Sequence, residues 1–140
     1  MSVTTEQIKR HEGFEPLVYI DTVGKRTIGY GLNLDAGMSD ELATHILKFQ
    51  VQKIAEHCDM VYDWFNYLNA ARQAVVINMI FNLGQSGFSK FVKLNAALED
   101  LDFPLASIEM MDSKWARQVK GRAGELADQM LTGEFIDSTY

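Results

Sequence analysis

The sequence predicts an α+β fold that is mostly α, with a small N-terminal lobe built on a β-hairpin and a larger C-terminal helical lobe. Three observations predict it. Two β-prone runs, Leu17–Ile20 and Thr27–Tyr30, flank a turn that contains Gly24. From Ser39 onward apolar residues recur every three to four positions, the period of a helix with one buried face. The stretch Ala70–Leu83 is apolar on several sides, as a buried central helix is. With 140 residues, 47% of them apolar, the chain can bury a core as one domain without a metal or a disulfide.

The elements follow in order. Thr4–Gly13 reads as a short helix, with Thr4 and Gln7 as a capping box and Gly13 as its stop. The hairpin spans 17–31, and Gly24 supplies the turn's unusual backbone angles. Gly29 and Gly31, on either side of Tyr30, suggest a close approach of backbone. Ser39, followed by Asp40 and Glu41, opens a helix that Leu42, Ile46, Phe49 and Ile54 carry to about His57. Asn69 caps the central helix, and Gly84 ends it. Shorter helices are expected at Phe91–Leu101, from Pro104 to Met111, from Ser113, and at Arg122–Leu131 before Gly133. An N-terminal lobe of about 13–57 and a helical lobe of about 58–140 that also includes helix 4–12, joined by the long helix at about 39–57, would leave a cleft where a ligand can bind.

Composition excludes several functions. The net charge of −6 argues against nucleic acid as a partner. His11, His45 and His57 are scattered, and the one cysteine, Cys58, reads as a small apolar residue on a helix, so neither a metal nor another cofactor is expected. No apolar run is long enough for stable membrane insertion, and the start, MSVTTEQIKRHEGF, has no apolar signal region. A monomer held in the cytoplasm until release is the simplest expectation.

The chemistry concentrates in Glu12–Gly31, HEGFEPLVYIDTVGKRTIGYG being the segment from His11. A carboxylate ends the first helix and a second sits at the hairpin turn. Glycoside hydrolysis uses such a pair: one acid protonates the leaving oxygen while an ionised carboxylate manages water or the cation-like sugar.

Glu12, eight residues, Asp21, five residues, Thr27, with Gly-Tyr-Gly just after, resembles the active-site signature of the phage lysozymes, the T-even-phage-type muramidases of glycoside hydrolase family 24. The resemblance continues in RQAVVINMIFNLGQSG (72–87), in SKWARQVKGRA (113–123) and in Thr132-Gly133, so it spans nearly the whole chain as a single lysozyme domain, 1–140. It implies a lysozyme-like fold and cleavage of the β-1,4 bond between N-acetylmuramic acid and N-acetylglucosamine in peptidoglycan glycan strands. Glu12 matches the general acid, Asp21 the carboxylate that positions water, and Thr27 the hydroxyl that helps hold it. Arg122 matches an arginine that pairs with the catalytic glutamate, which predicts an Arg122–Glu12 ion pair. Gly31, Asn33, Phe81 and Asn82 match substrate-binding positions, with Phe81 expected to be mainly a core residue. Trp64 and Trp115 are expected in the core.

The chain departs from the family at Leu32, where many members carry histidine, at Asn82, where relatives carry glutamine, and in its acidity. Lys9, Arg10, Lys25 and Arg26 are candidates for a local basic rim. Access to the wall implies a separate holin-type membrane protein. Two alternatives stay open from sequence: a non-catalytic glycan-binding or structural phage protein on this fold, and a lytic transglycosylase.

Overall fold

The computed structural model describes residues 2–136. The elements run α1 Val3–Glu12, β1 Glu15–Ile20, β2 Arg26–Gly29, β3 Leu32–Asn33, α2 Asp40–Val61, α3 Ala70–Ser89, α4 Val92–Glu99, α5 Phe103–Met111, α6 Lys114–Val119 and α7 Gly121–Thr132, with short 3-10 turns at Leu34–Ala36 and Phe65–Tyr67. This is the mostly helical α+β fold expected. The chain divides into two compact units, the first ending at Ile46 and the second starting at Leu47.

In the first unit the cap of α1 is Ser2, whose hydroxyl accepts the Thr5 amide, and not the predicted Thr4. Ser2 takes the position because its backbone is extended there, as an N-cap requires. Gly13 closes the helix at φ 71. The sequence pattern placed this helix with the later ones; in the structure it falls in the first unit. The predicted hairpin is present, and a third strand, β3, extends it to an antiparallel sheet of order β1-β2-β3. β3 is two residues long, too short for an alternating pattern to reveal. Pro16 is accommodated because β1 is an edge strand, irregular between Glu15 and Tyr19. Thr27 is the one buried residue among the described residues of this unit.

The second unit is built as a core. Val75, Val76 and Met79 of α3, Leu94 and Leu98 of α4, Met110 of α5 and Met130 of α7 are essentially inaccessible to water. Trp64 and Trp115 are buried as expected; Cys58, on α2, is buried too, and burial pushes its thiol up to about 11. Several further boundaries differ from the sequence pattern. α2 runs one turn beyond His57, to Val61. Gly84 ends the long helical stretch of α3 as expected, at the non-helical φ 78, ψ 164, and a short second stretch then runs on to Ser89. α4 is confined to Val92–Glu99, because Leu101 turns left-handed at φ 53. α7 starts one residue early, at Gly121, and ends one late, at Thr132. Asn69, Asp102 and Ser113 cap α3, α5 and α6 through their side chains, and Pro104 sits in the first turn of α5.

Candidate active site

Glu12 is the last residue of α1 and is exposed. Its carboxylate lies against the backbone of Gly31: a Cβ placed on Gly31 would come within 3.1 Å of Glu12 Oε2. Gly31 also sits at φ +88, a conformation side chains disfavour. Glycine is thus required there twice, once by its backbone and once by its neighbour. Phe14 and Tyr30 pack ring to ring at 5.4 Å beside this contact, and the Lys9 ammonium lies 5.3 Å from the Tyr30 centroid.

Asp21 builds the hairpin turn it occupies. Its Oδ1 accepts the amides of Val23 (3.0 Å) and Lys25 (2.8 Å), while its own amide donates to the Lys25 carbonyl (2.9 Å). Side-chain acceptance two residues on is the habit that makes aspartate a turn former. Oδ2 carries no hydrogen bond from the described residues. Thr27 is the second residue of the returning strand β2, opposite Tyr19 on one side and Asn33 on the other. Its hydroxyl donates to the Lys25 carbonyl at 3.0 Å. The backbone of Lys25 therefore ties Asp21 to Thr27, with its N–H on one side chain and its carbonyl on the other.

Asn33 is half-buried, and its Oδ1 caps the following 3-10 turn by accepting the Asp35 amide. Asp35 in turn grips Arg26: one oxygen accepts the Arg26 amide, the other its Nε and Nη2 at 2.9 and 2.7 Å. The amide and guanidinium of Arg26 hold the Asp35 carboxyl below the usual carboxylate range. Arg26 is thus matched by an acid, and Lys9 lies 3.9 Å from Glu6, which leaves Arg10 and Lys25 as the basic-rim candidates outside an ion pair among the described residues.

The remaining expected residues lie in the second unit. Arg122 is exposed, and its Nε and Nη2 both donate to Asn78 Oδ1, at 3.0 and 2.5 Å. Asn82 accepts the Trp115 indole N–H at 2.9 Å, which fixes the one side chain and satisfies the other. Phe81 is not a core residue: it is 46% exposed. With Arg122, Asn78, Leu47, Val51 and Ile77 it lines a cavity of about 330 Å³. Phe81 follows Met79 and Ile80 in an unbroken apolar run, so hydrophobic patterning alone placed it inside. Asn78 and Asp35 are the site-ordering residues that the sequence pattern missed. Asn78 could have been noticed as a lone amide in the apolar run VVINMIF.

The phage lysozyme family model matches residues 9–129. The chain belongs to that family. It is 28% identical to the pre-baseplate central spike protein Gp5 of Enterobacteria phage T4, over 91% of this chain but only 27% of that protein. It is 24% identical to the probable T4-type lysozyme 2 of Dictyostelium discoideum, over 95% of this chain and 96% of that one. The chain thus spans about a quarter of the phage relative and nearly all of the other.

Proposed function

We propose that this chain is a muramidase that hydrolyses the β-1,4 bond between N-acetylmuramic acid and N-acetylglucosamine in peptidoglycan, in the service of host-cell lysis. The observation that carries this reading is the first unit's pairing of roles. One carboxylate, Glu12, stands free at a helix end against a glycine. The other, Asp21, is immobilised by two amides through one oxygen and tied by the Lys25 backbone to a buried threonine.

Glu12 in its protonated form donates to the glycosidic oxygen as that bond breaks. Asp21 accepts, through Oδ2, a proton from a water that adds to the anomeric carbon. The Thr27 hydroxyl already donates to Lys25, so its lone pairs accept the water's second hydrogen. A threonine in that place serves a water nucleophile, not a covalent glycosyl intermediate, and hydrolysis then inverts the anomeric configuration.

The likeness to a phage spike protein favours a second reading, a structural phage protein on this fold without catalysis. Reducing-end release from purified peptidoglycan decides between them. Products that carry an added water and appear first as the α anomer by proton NMR are expected. No release would establish the structural reading. Anhydro products, or a first-formed β anomer, would overturn inverting hydrolysis.

A further inference from the structure

The peptide group that joins Lys25 to Arg26 stands at the centre of the first unit's polar contacts. Its carbonyl accepts the Thr27 hydroxyl at 3.0 Å and the Asp21 amide at 2.9 Å. Its N–H points the opposite way, as in any trans peptide, and donates to Asp35 Oδ2 at 2.8 Å. One peptide therefore links Asp35 to Asp21 and to Thr27. The Asp35 carboxylate is itself fixed. Its Oδ1 accepts Nε and Nη2 of Arg26, and the Asp35 amide donates to the Asn33 side chain. Asn33 stands opposite Thr27 in the β2–β3 ladder, so the segment that carries Asp35 is registered on Thr27. A hydrogen bond from a peptide N–H to a charged acceptor is about twice as strong as one to a neutral acceptor. It also polarises the peptide, so the carbonyl at its other end accepts more strongly.

Thr27 is buried at 3% exposure. A hydroxyl hydrogen rotates about its C–O bond and settles on the best acceptor within reach. Directed at the Lys25 carbonyl, it leaves the threonine oxygen's lone pairs open to the attacking water. Directed at the water, it would stand where the water's own hydrogen must go. We propose that Asp35 is a positioning residue for hydrolysis: acting through the Lys25–Arg26 peptide, its carboxylate holds the Thr27 hydroxyl in the direction that makes Thr27 an acceptor for the nucleophilic water. Asp21 keeps its turn by its own Oδ1, which accepts two amides, so the loss of Asp35 falls on Thr27. The proposal rests on the muramidase reading above and adds to it a residue outside the Glu12, Asp21 and Thr27 set.

Kinetics of the full chain on soluble peptidoglycan fragments, joined to side-chain NMR, test it. Asp35→Ala should lower kcat about threefold to tenfold, the scale of one hydrogen bond, and leave KM within about twofold. Thr27→Ala should also lower kcat, and adding Asp35→Ala to it should lower kcat no further, because the group through which Asp35 acts is gone. Three-bond couplings to the Thr27 methyl carbon should report one χ1 rotamer in the wild type and an average of rotamers in Asp35→Ala. Asp35→Asn keeps an oxygen for the Arg26 amide but not the charge. Its kcat should fall between wild type and Asp35→Ala, and it carries the same cycle where Asp35→Ala does not fold. An equal loss from the Asp35 substitution with and without Thr27, a change in KM alone, or an unaveraged Thr27 rotamer would overturn the positioning role. A slowed Thr27→Ala beside an unaffected Asp35→Ala defeats that role alone. Wild-type kcat in Thr27→Ala defeats the water-holding reading of the site, and the part given to Asp35 with it.

Discussion

The two units of this protein are ordered by different forces. The second unit excludes water from side chains contributed by α3, α4, α5 and α7, and its order comes from apolar packing. The first unit buries Thr27 and leaves Leu17, Val18 and Ile20 of β1 at 77%, 53% and 63% exposure. Its order comes from hydrogen bonds to Asp21, Asp35 and Asn33 and from glycines at positive φ. The proposed acid, base and water-holding hydroxyl all belong to the unit ordered by polar contacts. Carboxylates that exchange protons with substrate need access to water and to sugar, which a packed core forbids. The difference teaches that, on the proposed reading, Asp21 combines its duty in the turn with one in the reaction, whereas Leu98 has only a packing duty.

Substitutions at Asp21 should separate those duties and give the largest effect. Asp21→Asn keeps an oxygen for the amides of Val23 and Lys25 but loses the charge. Asp21→Ala loses both. Both should lower cell-wall cleavage by about 100-fold or more, the scale of general acid–base effects. Only Asp21→Ala should speed hydrogen exchange at the Val23 and Lys25 amides. Fast exchange in Asp21→Asn as well would show that charge, and not geometry, holds the turn.

The next effect is on stability. Leu98→Ala, at a fully buried site, should cost about 2–5 kcal/mol in denaturant unfolding. Leu17→Ala, at an exposed one, should stay within about 0.5 kcal/mol. Equal costs at the two positions would erase the contrast between the units.

Gly31→Ala should cost about 1 kcal/mol, from its positive φ, and should lower cleavage about tenfold by pushing against Glu12 Oε2. Wild-type activity in a stably folded Gly31→Ala would show that the position of Glu12 does not depend on this contact.

The smallest effect concerns pH. The folded Asp35 carboxyl titrates below its unfolded value because Arg26 favours its charged form. Its contribution is present above the unfolded value, near 4, and is lost as pH falls through the lower folded one. Both groups are exposed, so the difference between wild type and Asp35→Asn should be slight, and should vanish at the acid end of a denaturation series. A difference that grew toward low pH would contradict the sign.

Much of this was legible in the sequence because the relevant signals are local. Asn69, Ser113 and Pro104 announce helix starts by chemistry that acts within three residues, and Gly24 marks its turn the same way. Glu12, Asp21 and Thr27 were singled out by the family resemblance that their pattern carries, not by spacing alone. What sequence hid depends on partners far along the chain. Ser2 displaced Thr4 as a cap because two neighbouring hydroxyls compete for one place, and only backbone conformation decides. Gly84 is the stop it looked like, at positive φ, but the short helical stretch that resumes after it to Ser89 carries no comparable local signal. Phe81 looked buried because apolar periodicity does not report which face of a helix remains uncovered. Asn78 carries its meaning through Arg122, 44 positions away.

The most direct measurement of the central claim compares wild type with Glu12→Gln for reducing-end release from purified peptidoglycan, with folding checked by circular dichroism. Glutamine keeps the shape of the side chain and removes its transferable proton. The account predicts an unchanged spectrum and a rate lowered by about 100-fold to 10,000-fold. Cleavage by a folded Glu12→Gln at more than about a tenth of the wild-type rate, a difference of less than about 1.4 kcal/mol in barrier, would contradict it.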